Sequence, residues 1–534
     1  MKHFTKALAI AAAIAVIIST MSIAVFAEDA NVKIDMSKTY QTIDGFGASY
    51  TWYGDWLTTN VNAEQGYDWI FNDCEFNILR FRDLNHVGSA EDGEYKNALE
   101  GYKAYKSYYD AAVARGIDPI VLVTSWGQYD RELDFVAFTE LDDEGHTYYT
   151  LAKDENGEYM YDELADFCVE SIKLFFDAGI PVDYFSISNE TELQGLGKDE
   201  NGNARSEAGF FFGSDENEYH CAYWKAHIAV YNAFKEAFGE WAPNITGAEV
   251  MADTADLIQR YIEPLEQNAP ETFDTIAHHL YGSENSPRSF GQVGERFSGK
   301  YTLWQTEYYL NDYIRQAEMM ANEFIYENVN AYLYWNGVWV ADLGNCLIEV
   351  ADDKNGDIQR IGNHYIMMHY SKYIKRGYQR VDVENTSGAT VVAFKAPDSH
   401  RLVIVAVNNK DSYEDLYVDL GGATPTSSSV YQTIGNESRF KFKYWQDAGQ
   451  FNPDGNELPP LSVTTFVIEL PADPTYVPPV EDTAVNPFLK QPGAGFDMNT
   501  GLIIGIAAGV VAVVVIVIVV VASGKKKKAS AKDK

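Results

Sequence analysis

Between Thr42 and Tyr370 the chain alternates short, β-rich apolar runs with longer stretches of helical period. Few folds accommodate that alternation over so long a segment. The apolar runs include Asn77 to Phe81, Pro119 to Val123, Asp183 to Ser188, Thr275 to His279, Thr302 to Thr306 and Ala331 to Trp335. From Tyr161 to Ala178, by contrast, Leu164, Phe167, Cys168, Ile172, Phe175 and Phe176 fall on one helical face. Strand, helix, strand in succession implies parallel strands joined by crossover helices. The length favours a closed (β/α)8 TIM barrel over residues 42–370. No glycine-rich GxGxxG loop follows the first strand, which removes the usual dinucleotide-binding alternative.

After Arg376 and Gly377 the pattern changes. Thr390 to Ala396, Arg401 to Asn408, Leu416 to Leu420, Ser429 to Ile434 and Ser462 to Leu470 are alternating runs separated by turn residues. They predict an antiparallel β-sandwich domain over residues 371–470.

The two termini read differently again. Lys2, His3 and Lys6 precede an apolar run from Ala7 to Val25, the pattern of a signal peptide over 1–27, cut after Ala27. Residues 471–500 are rich in Pro, Gly and Asp and read as a linker. Gly501 to Ala522 is uninterrupted and apolar, long enough for a single transmembrane helix. Lys525 to Lys528 then mark a basic cytoplasmic tail over 523–534. The expectation is an exported protein anchored in the cell membrane, with its folded domains outside. A formal net charge of −37 disfavours nucleic acid as a partner, since that needs basic patches. Cys74, Cys168, Cys221 and Cys346 are scattered without CxxC spacing, so no zinc site is read from them.

In a (β/α)8 barrel the reactive groups sit at the carboxyl ends of the strands. Scanning those ends gives Asn189 and Glu190 after one run, Glu307 after another, His279 and Tyr281 after a third, and Trp126 after a fourth. Two carboxylates from separate strands are what glycosidic cleavage needs, one to protonate the leaving oxygen and one to attack or to steer water. One such glutamate alone reads as a satisfied structural group. Two, each with polar and aromatic company, read as a site.

Those residues also resemble a known family. Asp183 to Glu190, Leu303 to Glu307, the opening Ile43 to Gly47 and the stretch Tyr370 to Gly377 are similar to glycoside hydrolase family 30, as is Leu458 to Phe466. The resemblance runs from about residue 31 to 470. It implies that residues 28–41 join the β domain and that no cofactor or metal is needed. It further implies Glu190 as general acid/base and Glu307 as nucleophile, with Asn189 bonding the sugar 2-hydroxyl. Arg80 would hold the nucleophile ionised; it is preferred over Arg82 on motif position, the competing reading being that one of the two merely pairs with Asp83. His279 and Tyr281 would line the subsite, and Trp126 and Trp335 would stack on sugar. Core filling is the competing reading for each tryptophan.

On physical grounds Glu190 must carry a proton near neutral pH, and the charge of Glu307 close by favours that. The carboxyl groups should lie roughly 5–5.5 Å apart in a retaining enzyme and roughly 6.5–9.5 Å apart in an inverting one. Two positions depart from the family pattern. Thr191 follows the acid/base where many relatives have proline. The segment Trp335 to Trp339 lacks the arginine by which glucuronate-reading xylanases of the family recognise their substrate. The expected substrate is a polysaccharide, with an endo-β-xylanase-type activity first. Open alternatives are β-1,6-glucanase, β-glucosidase or glucosylceramidase-type activity on the same barrel, or a non-catalytic surface carbohydrate-binding protein.

Overall fold

The computed structural model describes residues 30–479, apart from 85–97, 127–132, 140–147, 194–209, 341–344, 353 and 436–441, together with 486–489. Its contacts divide the chain into two units. One is built on Gln41–Gly377; the other joins the segment ending at Tyr40 to Tyr378–Tyr476.

The first unit is the barrel. Its eight strands, numbered here one to eight, are Gly45–Ser49, Ile78–Arg82, Ile120–Thr124, Tyr184–Ser186, Asn244–Ile245, Thr275–His279, Thr302–Glu307 and Ala331–Tyr334. They pair in parallel in the order five, four, three, two, one, eight, seven, six. Strands five and six close the ring, through the Gly247 N–H donating to the Thr275 carbonyl at 2.7 Å and a parallel bridge between Val250 and His278.

Helices Ala98–Ala114, Tyr161–Asp177, Tyr223–Phe238, Ala255–Asn268, Pro287–Phe297 and Tyr313–Asn322 run between successive strands from the second onward. The helix at Tyr161–Asp177 buries Leu164, Cys168, Ile172, Phe175 and Phe176 of the apolar stripe read from the sequence and leaves Phe167 half-buried. Ser286 and Ser289 form a capping box at the start of Pro287–Phe297, with Pro287 in the first turn, where its missing N–H costs nothing.

Side chains alternate between the two faces of each strand. Ile78, Ile120, Leu122, Trp304, Ala331 and Leu333 make one apolar cluster inside the ring. Residues one step out of phase face the helices; Phe81 stacks on Tyr105 of Ala98–Ala114 with centroids 4.2 Å apart. Two positions after Ile78, and therefore one layer nearer the carboxyl ends, Arg80 shares its face. Apolar layers fill the lower barrel and leave the upper layer to polar chemistry.

The second unit is a β domain. It holds an eight-stranded sheet in the order Val418–Asp419, Val32–Thr42, Gln379–Asn385, Thr390–Lys395, Arg401–Asn408, Ser462–Glu469, Ser427–Gly435, Phe442–Gly449. A separate pair, Glu414–Leu416 with Asn456–Leu458, contributes Leu416 and Leu458 to a core that also holds Ile404, Phe466 and Ile468. The expected sandwich is therefore uneven, one large sheet against a two-stranded one. It is also not wholly antiparallel, because Val32–Thr42 runs parallel to Val418–Asp419. The partners in that pair are far apart in sequence, so no hairpin fixes their direction.

The segments expected to form a signal peptide (1–27), a transmembrane helix (501–522) and a basic tail (523–534) lie outside the described residues, as does most of the segment 471–500 read as a linker. Among the described residues no helix is long and apolar enough to cross a membrane. Cys74, Cys168, Cys221 and Cys346 are all buried and free.

Candidate active site

Side chains from strands two, four, five, six and seven converge at the carboxyl end of the barrel. Arg80, fully buried, is the hub. Its Nη1 donates to Glu307 Oε2 at 2.6 Å, its Nη2 to Asn189 Oδ1 at 2.7 Å, and its Nε to Thr124 Oγ1 at 3.1 Å. Nη2 also lies 3.2 Å from Glu249 Oε1, and the guanidinium sits over the Trp126 ring at 4.6 Å. Arg82, two residues on, instead sits over Trp52 at 4.6 Å.

Opposite Arg80 stands His279, also buried. Its Nδ1 is 3.1 Å from Glu190 Oε1, and its Nε2 is 3.4 Å from Glu249 Oε1 and 4.0 Å from Glu307 Oε2. Carboxylate oxygens of Glu190 and Glu307 and a ring nitrogen of His279 all lie within 4.8 Å of one another. Both glutamates keep a little exposure, 12% and 8% of their side chains, so the pair opens to solvent.

Local backbone irregularities aim these two side chains. Along strand seven Trp304 and Thr306 point inward, and strict alternation would turn Glu307 outward. A register shift between Gln305 and Glu307 against strand six re-aims it; bulges serve this purpose in many barrels. Glu190 takes a left-handed backbone conformation, φ 46°, unusual for a residue other than glycine. Flanking hydrogen bonds hold it there: Asn189 N–H to the Ser125 carbonyl at 3.0 Å and Thr191 N–H to the Glu249 carbonyl at 3.2 Å.

The electrostatics follow from the packing. Burial alone would push the His279 imidazole down. The Glu307 charge and the hydrogen bonds to Glu190 and Glu249 outweigh that and raise it to about 10. Burial would likewise raise the Glu249 carboxyl, but Arg80 and His279 hold it well below the usual carboxylate range. Burial pushes the Glu307 carboxyl up, opposed by His279 and Arg80. Two cations thus face three carboxyl groups, and a single proton among those carboxyls makes the cluster neutral.

Aromatic rings line one side. Trp52 meets Trp126 at 5.4 Å and Trp335 at 5.5 Å between centroids, both edge-on. Trp335 is half-buried, whereas Trp126 is 1% exposed and lies packed between Arg80 and Trp52. Tyr281, half-buried, meets His279 edge-on at 6.1 Å and packs on Tyr308 at 5.1 Å. All eight residues singled out from the sequence therefore sit in this one region.

Glu249 was missed. It follows the two-residue strand Asn244–Ile245, too short to register as an apolar run, although a carboxylate within Gly247-Ala-Glu-Val250 is conspicuous once that strand is recognised. Trp52, just past strand one, was missed because that strand, Gly45–Ser49, is glycine-rich and does not read as an apolar run.

No protein-family model matches the chain. Glucuronoxylanase XynC of Bacillus subtilis (strain 168) is 24% identical over 248 residues, which cover 43% of this chain and 54% of that protein. The chain thus spans about half the length of the curated relatives it matches. Among solved structures, the catalytic domain of GH30 xylanase C from Talaromyces cellulolyticus superposes with a TM-score of 0.63 at 19% identity, covering 82% of this chain and 99% of that one. The chain resembles glycoside hydrolase family 30. A second likeness, to the endo-β-1,6-glucanase BT3312, has a TM-score of 0.60 at 17% identity over 82% of this chain and 94% of that one. At such identities the likeness to solved family 30 structures shows the fold, a barrel carrying a β domain.

Proposed function

We propose that this chain is a retaining glycoside hydrolase that cleaves β-glycosidic bonds of a polysaccharide by double displacement, with xylan as its first substrate. One observation carries the reading. Carboxylate oxygens of Glu190 and Glu307 lie within 4.8 Å of each other across a partly open gap. So close an approach of single oxygens fits the roughly 5–5.5 Å carboxyl separation of retaining enzymes better than the roughly 6.5–9.5 Å that leaves room for an attacking water.

In this reading Glu190 protonates the glycosidic oxygen while Glu307 attacks the anomeric carbon. The carbon–oxygen bond to the leaving sugar breaks and a glycosyl ester forms on Glu307. Water then attacks the same carbon, Glu190 takes its proton, and Glu307 leaves as a carboxylate. Arg80 holds Glu307 Oε2, which leaves Oε1 for attack. His279 holds Glu190 Oε1, which leaves Oε2 for the proton. Asn189 turns its carbonyl oxygen to Arg80 and keeps its NH2 for the sugar 2-hydroxyl. Trp335 and Trp52 offer half-buried rings for stacking on the sugar.

The curated relative is named for glucuronoxylan, but the missing arginine after strand eight leaves this chain without a guanidinium there to read a glucuronate. The endo-β-1,6-glucanase among its structural neighbours supports β-1,6-glucan as the second substrate to try. The terminal segments support export through a signal peptide and anchoring by the C-terminal helix, with the barrel at the cell surface.

The test is to incubate the purified protein with undecorated xylan, glucuronoxylan, β-1,6-glucan and aryl β-glycosides, identifying products and following the anomeric configuration by proton NMR. Release of xylo-oligosaccharides with retained configuration supports the proposal. Initial products of inverted configuration, or binding without turnover on every glycan, overturn it.

A further inference from the structure

A second group of ionisable side chains is sealed behind strand six, on the face away from the sugar-cleaving glutamates. His279 points into the barrel, so His278 points the other way. There it meets Asp253, from the segment just ahead of helix Ala255–Asn268, and Glu323 and Glu327, from the helical turn Glu323–Glu327 before strand eight. All four residues are 0% exposed.

Their bonding is incomplete. Apart from His278 Nε2, which stands 2.6 Å from Glu327 Oε1, no group donates to the carboxylate oxygens of Asp253, Glu323 and Glu327 among the described residues. One acceptor or ring nitrogen from each of Asp253, His278 and Glu327 lies within 4.8 Å of the other two. Three buried carboxyls therefore share a single imidazole as their counter-charge. An ionised carboxylate without a partner is too costly to bury, so the cluster must take up either protons or a metal cation.

The imidazole is set for a metal. Its Nδ1 lies 3.3 Å from the His279 carbonyl; with Nδ1–H donating there, Nε2 offers its lone pair to an ion among the carboxylates once that ion displaces its proton. A backbone carbonyl holding the far ring nitrogen is the usual way a metal-bound histidine is oriented. One imidazole with carboxylate oxygens suits first-row transition metals; calcium and magnesium favour all-oxygen shells.

We propose that Asp253, His278 and Glu327, with Glu323 beside them, bind one divalent transition-metal ion of the zinc class. The ion ties the segment after strand five to strand six and to the helical turn before strand eight. Because His278 adjoins His279, metal occupancy also braces the histidine that bonds Glu190. The role is structural and requires no step of the glycosidase reaction, so it stands or falls apart from that reading.

The test uses the full-length protein, stripped with EDTA and then titrated with ZnCl2, MnCl2 or CaCl2 while metal content and thermal midpoint are measured. About one equivalent of zinc per chain is expected, with a rise in midpoint of about 5 °C. Asp253→Asn and His278→Phe should abolish both effects. Wild-type protein that binds no zinc and shows no shift overturns the proposal, as does a response to calcium alone. Asp253→Asn supplies an independent sign. If protons neutralise the cluster, removing a buried acid leaves the midpoint unchanged or higher than that of zinc-treated wild type, and the proposal fails. If a metal does so, the variant melts lower than zinc-treated wild type.

Discussion

Arg80 Nη1 and Glu307 Oε2 stand 2.6 Å apart, and neither side chain is more than 8% exposed. A charge-assisted bond in so dry a place fixes the position of the glutamate and opposes the upward push of burial on its carboxyl. The remaining nitrogens of Arg80 reach Asn189 and Thr124, so its planar fork positions several groups at once. Lysine cannot reproduce that fork. Arg80→Lys should lower kcat by about 10²–10³-fold, in line with losing one preorganised charge contact. Arg80→Met should in addition cost about 3–5 kcal/mol of stability, because buried carboxylates lose their counter-ion. Steady-state kinetics and urea denaturation check the two effects separately.

Glu307→Gln should end turnover while leaving glycan binding intact, measured by calorimetry with an oligosaccharide. Glu190→Gln should reduce kcat by about 10²–10⁴-fold on substrates with poor leaving groups. The loss should be much smaller on activated aryl glycosides, whose leaving group needs no proton. Equal losses on both substrate types would exclude Glu190 as the acid.

Glu249 bonds both Arg80 and His279 and is itself fully buried. Glu249→Gln keeps the shape and removes the charge. With one charged hydrogen-bonding partner lost, kcat should fall about 10–100-fold with little change in KM. A fall in binding with kcat intact would show that Glu249 only supports the fold.

Acid should destabilise the barrel through histidines that take no part in this site. Burial holds His227 down at about 4. Burial, aided at His364 by Arg360, holds His364 and His369 at about 3. All three stay neutral in the folded chain while the unfolded chain binds protons below about pH 6.5. Their contribution is therefore intact above that value and is lost as pH falls toward 4, by about 1.4 kcal/mol per pH unit for each histidine. Thermal or urea unfolding between pH 7 and 5 should show this slope, and His227→Phe should make it shallower.

Trp335, half-buried beside Trp52, is placed to stack on sugar. Trp335→Ala should raise KM about 2–10-fold with kcat less affected, since the lost contact is present before and during reaction. Trp126→Ala should instead destabilise the protein, because that ring packs against Arg80 and is 1% exposed.

Much of the fold is legible in the sequence. Strands three, six, seven and eight are compact apolar runs bounded by polar residues, and the Tyr161–Asp177 helix carries an unbroken apolar stripe. These patterns record burial, which local residue types report directly. Strand one, Gly45–Ser49, and strand five, Asn244–Ile245, escape because one is glycine-rich and the other is two residues long. What makes them strands is pairing with neighbours far along the chain.

The same division holds for chemistry. That Glu190 and Glu307 end separate strands is a property of sequence order, and the barrel rule then brings them to one face. That Glu307 faces inward depends on a register shift set by strand six, and that Glu249 lies between Arg80 and His279 depends on ring closure. Residue type and period fix which side chains are buried or strand-borne, because those are local demands. Distances between charges, and hence where protons reside, belong to the folded chain, because only ring closure brings residues so far apart in sequence within hydrogen-bonding reach.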